Sequence, residues 1–219
     1  MDFLLRVPKE NVVSFKIEYI TKLKSITPKN GVLYIEKMSH LDYKEENIGE
    51  GIKEFIAGDI INYKSKNESE HKGIFYIIKW DQKSNTIEFH SDYQSFLPIF
   101  YYAGRDYYLI SSSVDTIYSL LSGLEINRVF VTEMALLNVP FQDSCFFKHI
   151  KRLNYGCYLK IDRDGLKEIR TKRFYDYYSE NPIPYKKALN MVVASFIDNC
   201  SKYFTEPTYV SLTGGFDGR

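Results

Sequence analysis

Cysteine is scarce: Cys145, Cys157 and Cys200 are the only three. Their odd number, wide spacing and apolar or aromatic neighbours argue for reduced packing residues rather than a disulfide frame. Net charge is nearly absent as well. The 29 Lys and Arg balance 28 Asp and Glu, so no global field exists to hold nucleic acid or an anionic membrane surface. No run approaches the roughly 18 apolar residues that a membrane helix requires. The opening Met1-Asp2-Phe3-Leu4-Leu5-Arg6 places an acid where a signal peptide needs positive charge. The expectation is a soluble, cytoplasmic protein with no nucleic-acid and no membrane partner. Histidine offers no metal site either, because His40, His71, His90 and His149 are scattered without a second ligand at metal-like spacing.

What is present is core-forming material. Hydrophobic residues make up 44% and aromatics 16% of 219 residues, enough for one large domain, or for one domain and part of another. Residues 12–19 and 32–38 read as strands rich in branched and aromatic side chains, with Pro28-Lys29-Asn30-Gly31 as the turn between them. Ile48, Ile52, Phe55 and Ile56 recur at helical spacing, which predicts a helix over 45–57 closed by Gly58 as its C-terminal cap. Residues 64–72 are polar and charged, a solvated loop. Four strand-like runs follow at 74–80, 86–90, 98–103 and 107–111, which predict one antiparallel meander in a single sheet. The first of them, Ile74-Phe75-Tyr76-Ile77-Ile78, is apolar on both faces and needs cover on both, as in a layered sandwich.

Helical spacing returns at 114–121, with Ser113 as cap and Asp115 in the first turn, and at 128–137 after the capping residue Asn127. That capping role is the economical account of Ser111-Ser112-Ser113, in preference to a hydrolase nucleophile. The pairs Tyr101-Tyr102, Tyr107-Tyr108 and Tyr177-Tyr178 read as rings alternating across a sheet, one buried and one at the surface. Residues 156–161 form another strand. Asn181-Pro182-Ile183-Pro184 is the linker that separates the domains. Beyond it Leu189, Val192, Val193, Phe196, Ile197, Cys200 and Phe204 form the stripe of a long amphipathic helix, and 208–212 a short strand.

A helix, a short apolar strand and then Thr213-Gly214-Gly215-Phe216-Asp217-Gly218 is the order in which an open α/β sheet binds phosphates at a strand's C-terminal end. Gly214 and Gly215 carry no Cβ, so their N–H groups can approach an anion, and the Thr213 hydroxyl adds a donor. Asp217 supplies carboxylate oxygen suited to Mg²⁺. The plain alternative is a flexible glycine-rich tail.

The segment resembles the PP-loop of ATP pyrophosphatases, usually Ser-Gly-Gly-x-Asp-Ser, with Thr213 for the first serine and Gly218 for the last. Upstream, Gly73-Ile-Phe-Tyr-Ile-Ile-Lys-Trp-Asp and Phe96-Leu-Pro-Ile-Phe-Tyr-Tyr102 are similar to the segment of asparagine synthetases in which a Trp-Asp hairpin precedes a Pro-Leu-Tyr-Tyr strand. Phe146 to Leu153 followed by Gly156, and Arg173-Phe-Tyr-Asp176, resemble two later landmarks of that family in family order. The resemblance implies an α+β chain. Residues 1–180 would be a four-layer αββα sandwich of the N-terminal-nucleophile (Ntn) hydrolase type, and 181–219 the first helix, strand and loop of a PP-loop domain. It also implies a parent ligase with ATP, Mg²⁺ and a carboxylate acceptor as partners, open to assembly from identical copies.

The departures carry as much meaning. A working member of the family attacks glutamine with an N-terminal cysteine whose amine serves as base. Here that position is Asp2, and no cysteine precedes Cys145. The glutamine-recognising Arg-Gly-Pro and Asn-Gly-Glu segments are missing too. The resemblance therefore implies a retained scaffold without glutaminase activity. The competing expectation, from a different class, is a non-catalytic interaction module with an incidental glycine tail.

Overall fold

A computed structural model of the chain describes residues 2–9, 16–20, 31–36, 43–49, 51–61, 72–140, 143–171 and 182–203. The chain divides into two compact units, Met1–Phe174 and Tyr175–Arg219.

The first unit is built on two six-stranded sheets. One runs in the order β10 (Ile150–Arg152), β8 (Phe100–Ala103), β9 (Tyr107–Ser111), β1 (Asp2–Pro8), β3 (Val32–Glu36), β2 (Lys16–Ile20). The other runs β12 (Gly165–Arg170), β11 (Cys157–Asp162), β7 (Thr86–Ser91), β6 (Lys72–Asp81), β5 (Ile52–Ile61), β4 (Tyr43–Gly49). Alternate residues of both sheets meet in one core: Phe3, Leu5, Ile35 and Ile110 from the first, Phe55, Tyr76, Ile78, Phe89, Leu159 and Ile161 from the second. The Phe3 ring stands edge-on to Tyr76 at 5.2 Å and stacks on Phe89 at 5.8 Å. The sheets therefore pack face to face.

Both faces of β6 are buried, as its composition requires. Tyr76 and Ile78 enter the central core, whereas Phe75 and Ile77 join Ile56 in a separate cluster on the opposite face. On the outer face of the first sheet, α1 (Val114–Leu120) seals Leu109 and Ile150 with Ile117. Two tyrosine pairs alternate across the pleat, with Tyr101 and Tyr108 in the central core, but Tyr102 and Tyr107 pack in the α1 cluster rather than standing at the surface; Tyr177 and Tyr178 lie outside the described residues.

Three expectations are corrected. Residues 45–57 are not a helix: they contribute to β4 and β5, an antiparallel pair that sets Glu46 opposite Glu54. Helical spacing misled because β5 is apolar on both faces, Phe55 inward and Ile56 outward, and a strand covered on both sides loses its period of two. The four runs of 72–111 do not share one sheet, since β6 and β7 lie in one and β8 and β9 in the other. The connection at 92–99 crosses between sheets. Finally, β2 and β3 pair in parallel, Lys16 beside Val32, an arrangement that a tight turn cannot connect. Residues 12–15 and 28–30 lie outside the described residues.

The helices expected at 114–121 and 128–137 keep their places, with one difference of detail. Asn127 caps α2 (Arg128–Leu137) by accepting from the Phe130 N–H, and Asn138 closes it in the left-handed conformation. Ser113 occupies the cap position of α1, but its side chain makes no capping bond. Its N–H instead donates to the Ser111 hydroxyl.

On the outward face of the second sheet a row of charges crosses all six strands in register: Glu46, Glu54, Lys79, Glu88, Lys160 and Lys167. Glu88 lies 3.2 Å from the His90 ring, which stacks on Tyr158. The hydrogen bond from His90 holds the Glu88 carboxyl below its ordinary 4.5. A depressed carboxylate stabilises the fold above the unfolded value and loses that contribution as pH falls through the folded one. Glu88→Gln is expected to cost about 1 kcal/mol at pH 7 and less at pH 3. Urea unfolding at the two pH values checks it, and an equal cost at both would refute it.

The second unit contains α3 (Tyr185–Tyr203). Its Leu189, Val192, Val193, Phe196 and Ile197 are exposed. The strand expected at 208–212 lies outside the described residues. Among those described, no helix is long and apolar enough to cross a membrane.

Candidate functional site

At the start of β1 two serines hold the backbone. Asp2 opens the strand, in register with Glu36 of β3. At the next residue, Phe3, the backbone is held on both sides. Its N–H donates to the Ser112 hydroxyl at 3.1 Å, and its carbonyl accepts from the Ser111 hydroxyl at 2.7 Å. Ser111 and Ser112 are buried. The serine run thus clamps β1 rather than only introducing a helix.

The same end of the sandwich is closed by residues 92–99. Asp92, only 4% exposed, accepts backbone N–H groups from Gln94 and Phe96 through Oδ1 and from Leu97 through Oδ2. Ser91 donates to the Leu97 carbonyl and Tyr76 to that of Pro98. Arg152 donates to the Ser95 carbonyl. Ser95 adopts φ 50°, an unfavourable conformation for serine that the surrounding bonds enforce. The Tyr76–Pro98 bond ties this loop to the strand whose ring meets Phe3. An Asp followed by a Ser-x-x-Pro spacing was the sequence signal for this loop, and the expectation of a plain inter-strand turn passed over it.

At the far edge, Glu168 of β12 accepts from Tyr101 of β8 at 3.3 Å and from Asn154 at 2.7 Å, which joins the two sheets. Burial, reinforced by the Glu168 carboxylate, pushes the Tyr101 phenol far up. Burial likewise raises the Cys145 and Cys157 thiols, with Glu168 adding to the effect at Cys157. A raised thiol is a poor nucleophile. Neither stands in for a catalytic cysteine. Among the described residues, no group of three or more His, Cys, Asp or Glu is placed to hold a metal.

Residues 54–175 match the family model of the glutamine amidotransferase domain. The chain belongs to that family. The matched stretch takes in most of β5, all of β6 to β12, the loop capped by Asp92, and Ser111 and Ser112, so it includes most of the second sheet and three strands of the first, β8, β9 and β10. A comparison with curated proteins found no match. Strand β1, which Asp2 opens, precedes the matched stretch. The second set of candidate residues, Thr213, Gly214, Gly215, Phe216, Asp217 and Gly218, lies outside the described residues.

Proposed function

We propose that this amidotransferase domain is the degenerate glutaminase half of an asparagine-synthetase-like, ATP-dependent amide-forming ligase, and that the chain itself hydrolyses no glutamine. The observation that carries the reading is Asp2 at the first position of β1, on a backbone that Ser111 and Ser112 still hold. A carboxylate cannot take the part of the thiolate in acyl transfer, because attack on an amide needs a far stronger nucleophile. Asp2 keeps the fold and forgoes the chemistry.

The ligase half rests on the donor set of residues 213–218. Gly214 and Gly215 offer backbone N–H groups to a pyrophosphate, Thr213 a hydroxyl, and Asp217 a hard oxygen ligand for Mg²⁺. Gly218, where the family pattern has serine, withholds one hydroxyl. These residues fit a nucleoside triphosphate with its metal. Bound Mg-ATP would supply an adenylate leaving group for a carboxylate, which an amine or ammonia then displaces. The role of this chain's residues is to seat the phosphates. Phosphorus NMR titration of Mg-ATP against the full chain is expected to show weak, about millimolar binding, which Gly215→Val and Asp217→Asn abolish. Binding unaffected by both substitutions would remove the nucleotide part of the reading and leave the amidotransferase classification intact.

A non-catalytic interaction module has one observation in its favour: α2 is apolar, yet none of its residues is buried.

A further inference from the structure

The outward face of the second sheet carries a cleft of about 320 Å³, lined by Ile52 of β5, Lys79 and Asp81 of β6, Thr86 and Glu88 of β7, and Lys160 of β11. That volume stands at the small end of ligand sites, which span roughly 300–1,000 Å³. Glu88 and Lys160 lie directly opposite each other on adjacent strands, yet no ion pair joins them. Each side chain instead follows its own strand: Glu88 Oε2 meets the His90 ring at 3.2 Å, and Lys160 Nζ extends toward Asp162, 3.9 Å away. Because β7 and β11 run antiparallel, those two directions are opposite. The carboxylate and the ammonium are therefore held apart across the cleft.

We infer that this cleft binds a free α-amino acid with a neutral side chain, its ammonium against Glu88 and its carboxylate against Lys160 and Thr86. Three observations select a zwitterion. First, the groups that would meet it are unsatisfied. Among the described residues, Glu88 Oε1, the Thr86 hydroxyl and the Lys160 ammonium have no hydrogen-bond partner. Asp162 does not draw Lys160 closer, because it already accepts from the Asp164 N–H at 2.9 Å and pairs with Lys167 at 3.5 Å. Second, these groups are ordered along the cleft. Thr86 precedes Glu88 by two residues on the same face of β7, on the side to which Lys160 leans. Donors thus gather at one end and the free acceptor stands at the other. Third, two acids and two bases line the cleft, so no net field holds a lone anion or a lone cation. A zwitterion set antiparallel to the Glu88–Lys160 pair gains at both ends.

The other two charges do not compete for the ligand. Lys79 pairs at 3.4 Å with the buried Glu54. Asp81 accepts from the Lys83 N–H and from the N–H and hydroxyl of Ser84, so both its oxygens serve the turn. With those groups engaged, a charged ligand side chain would find no counter-charge, whereas Ile52 offers an apolar wall to a neutral one. The inference does not rest on the ligase reading, since every residue it uses lies on the second sheet.

NMR titration of the isotope-labelled full chain with L-leucine and with L-alanine tests it. Saturable shifts are expected at the amides of Thr86, Glu88 and Lys160, with a Kd of about 1 mM. Acetate and methylammonium, each of which carries one of the two charges, should bind at least about tenfold more weakly. Lys160→Met and Glu88→Gln change half-buried side chains, and unaltered amide spectra outside the cleft show that each variant folds. Both should weaken amino-acid binding by about tenfold or more. Lys148→Met, whose lysine pairs with Glu125 away from the cleft, should leave it unchanged. No saturable shift from either amino acid, acetate binding as tightly as leucine, or an affinity indifferent to Lys160→Met and Glu88→Gln would overturn the assignment. Any of these results leaves the amidotransferase classification and the ligase reading untouched.

Discussion

Gly58→Ala is expected to destabilise the amidotransferase domain by about 2–4 kcal/mol, through backbone strain and overlap together. Gly58 lies within β5 at φ 96°, opposite Phe75 of β6. An added Cβ would stand 2.3 Å from the Ile74 carbonyl oxygen and 3.1 Å from the Phe75 Cα. These are backbone atoms in the middle of a sheet, with no flexible chain end to give way. Relief requires that β5 and β6 separate locally, which breaks ladder bonds beside the cluster of Ile56, Phe75 and Ile77. Gly123→Ala provides the comparison, because φ is 73° there but nothing lies within 4 Å. It should cost only the conformational part, about 1 kcal/mol. Melting temperatures of the two variants separate the effects, and equal losses would show that the Gly58 overlap relaxes at no cost.

Asp92→Ala is expected to cost about 3–4 kcal/mol, since three backbone N–H groups lose a charged acceptor in a buried setting. Ile99 is buried in the central core and Leu97 packs against it, but Phe96 at the tip of the loop is 65% exposed. The loop's shape rests on the carboxylate, on the Ser91 and Tyr76 hydroxyls, and on Arg152. Asp92→Asn, which retains one acceptor oxygen, should recover about half of the loss. Hydrogen exchange at the amides of Gln94, Phe96 and Leu97 should accelerate in both variants, more so in the alanine form. Unchanged exchange at these three amides would contradict the account of the loop.

These two sites show where the sequence was legible and where it was not. Gly58 was flagged as a position of positive φ, but as the cap of a helix. A helix cap and a kinked strand both need that conformation, so the residue was correctly singled out and wrongly placed. The strands from β6 to β9 were readable because Ile, Tyr and Phe runs are broken by polar turns. That they divide between two sheets was not, because the bonds that carry the chain across, Tyr76 to Pro98 and Ser91 to Leu97, join residues that no local pattern relates. β12 escaped the sequence reading: Gly165-Leu166-Lys167-Glu168-Ile169-Arg170 alternates weakly, and its pairing with β11 supplies what its composition lacks. At the β1 site, Asp2 was legible directly, since it is one residue at a known position. The serine clamp was not, because Ser111 and Phe3 are 108 positions apart.

The central claim is that the amidotransferase fold persists here without its glutaminase chemistry. The most direct measurement is glutamate release from glutamine by the purified chain, its N-terminus verified by mass spectrometry, against a control without protein. Asp2 at the head of β1, together with buried Cys145 and Cys157 whose thiols are pushed up, predicts release no faster than the control. Glutamate release above that control, retained in a Cys145→Ser, Cys157→Ser variant and lost in Asp2→Ala, would show that the aspartate performs the attack and would contradict the account.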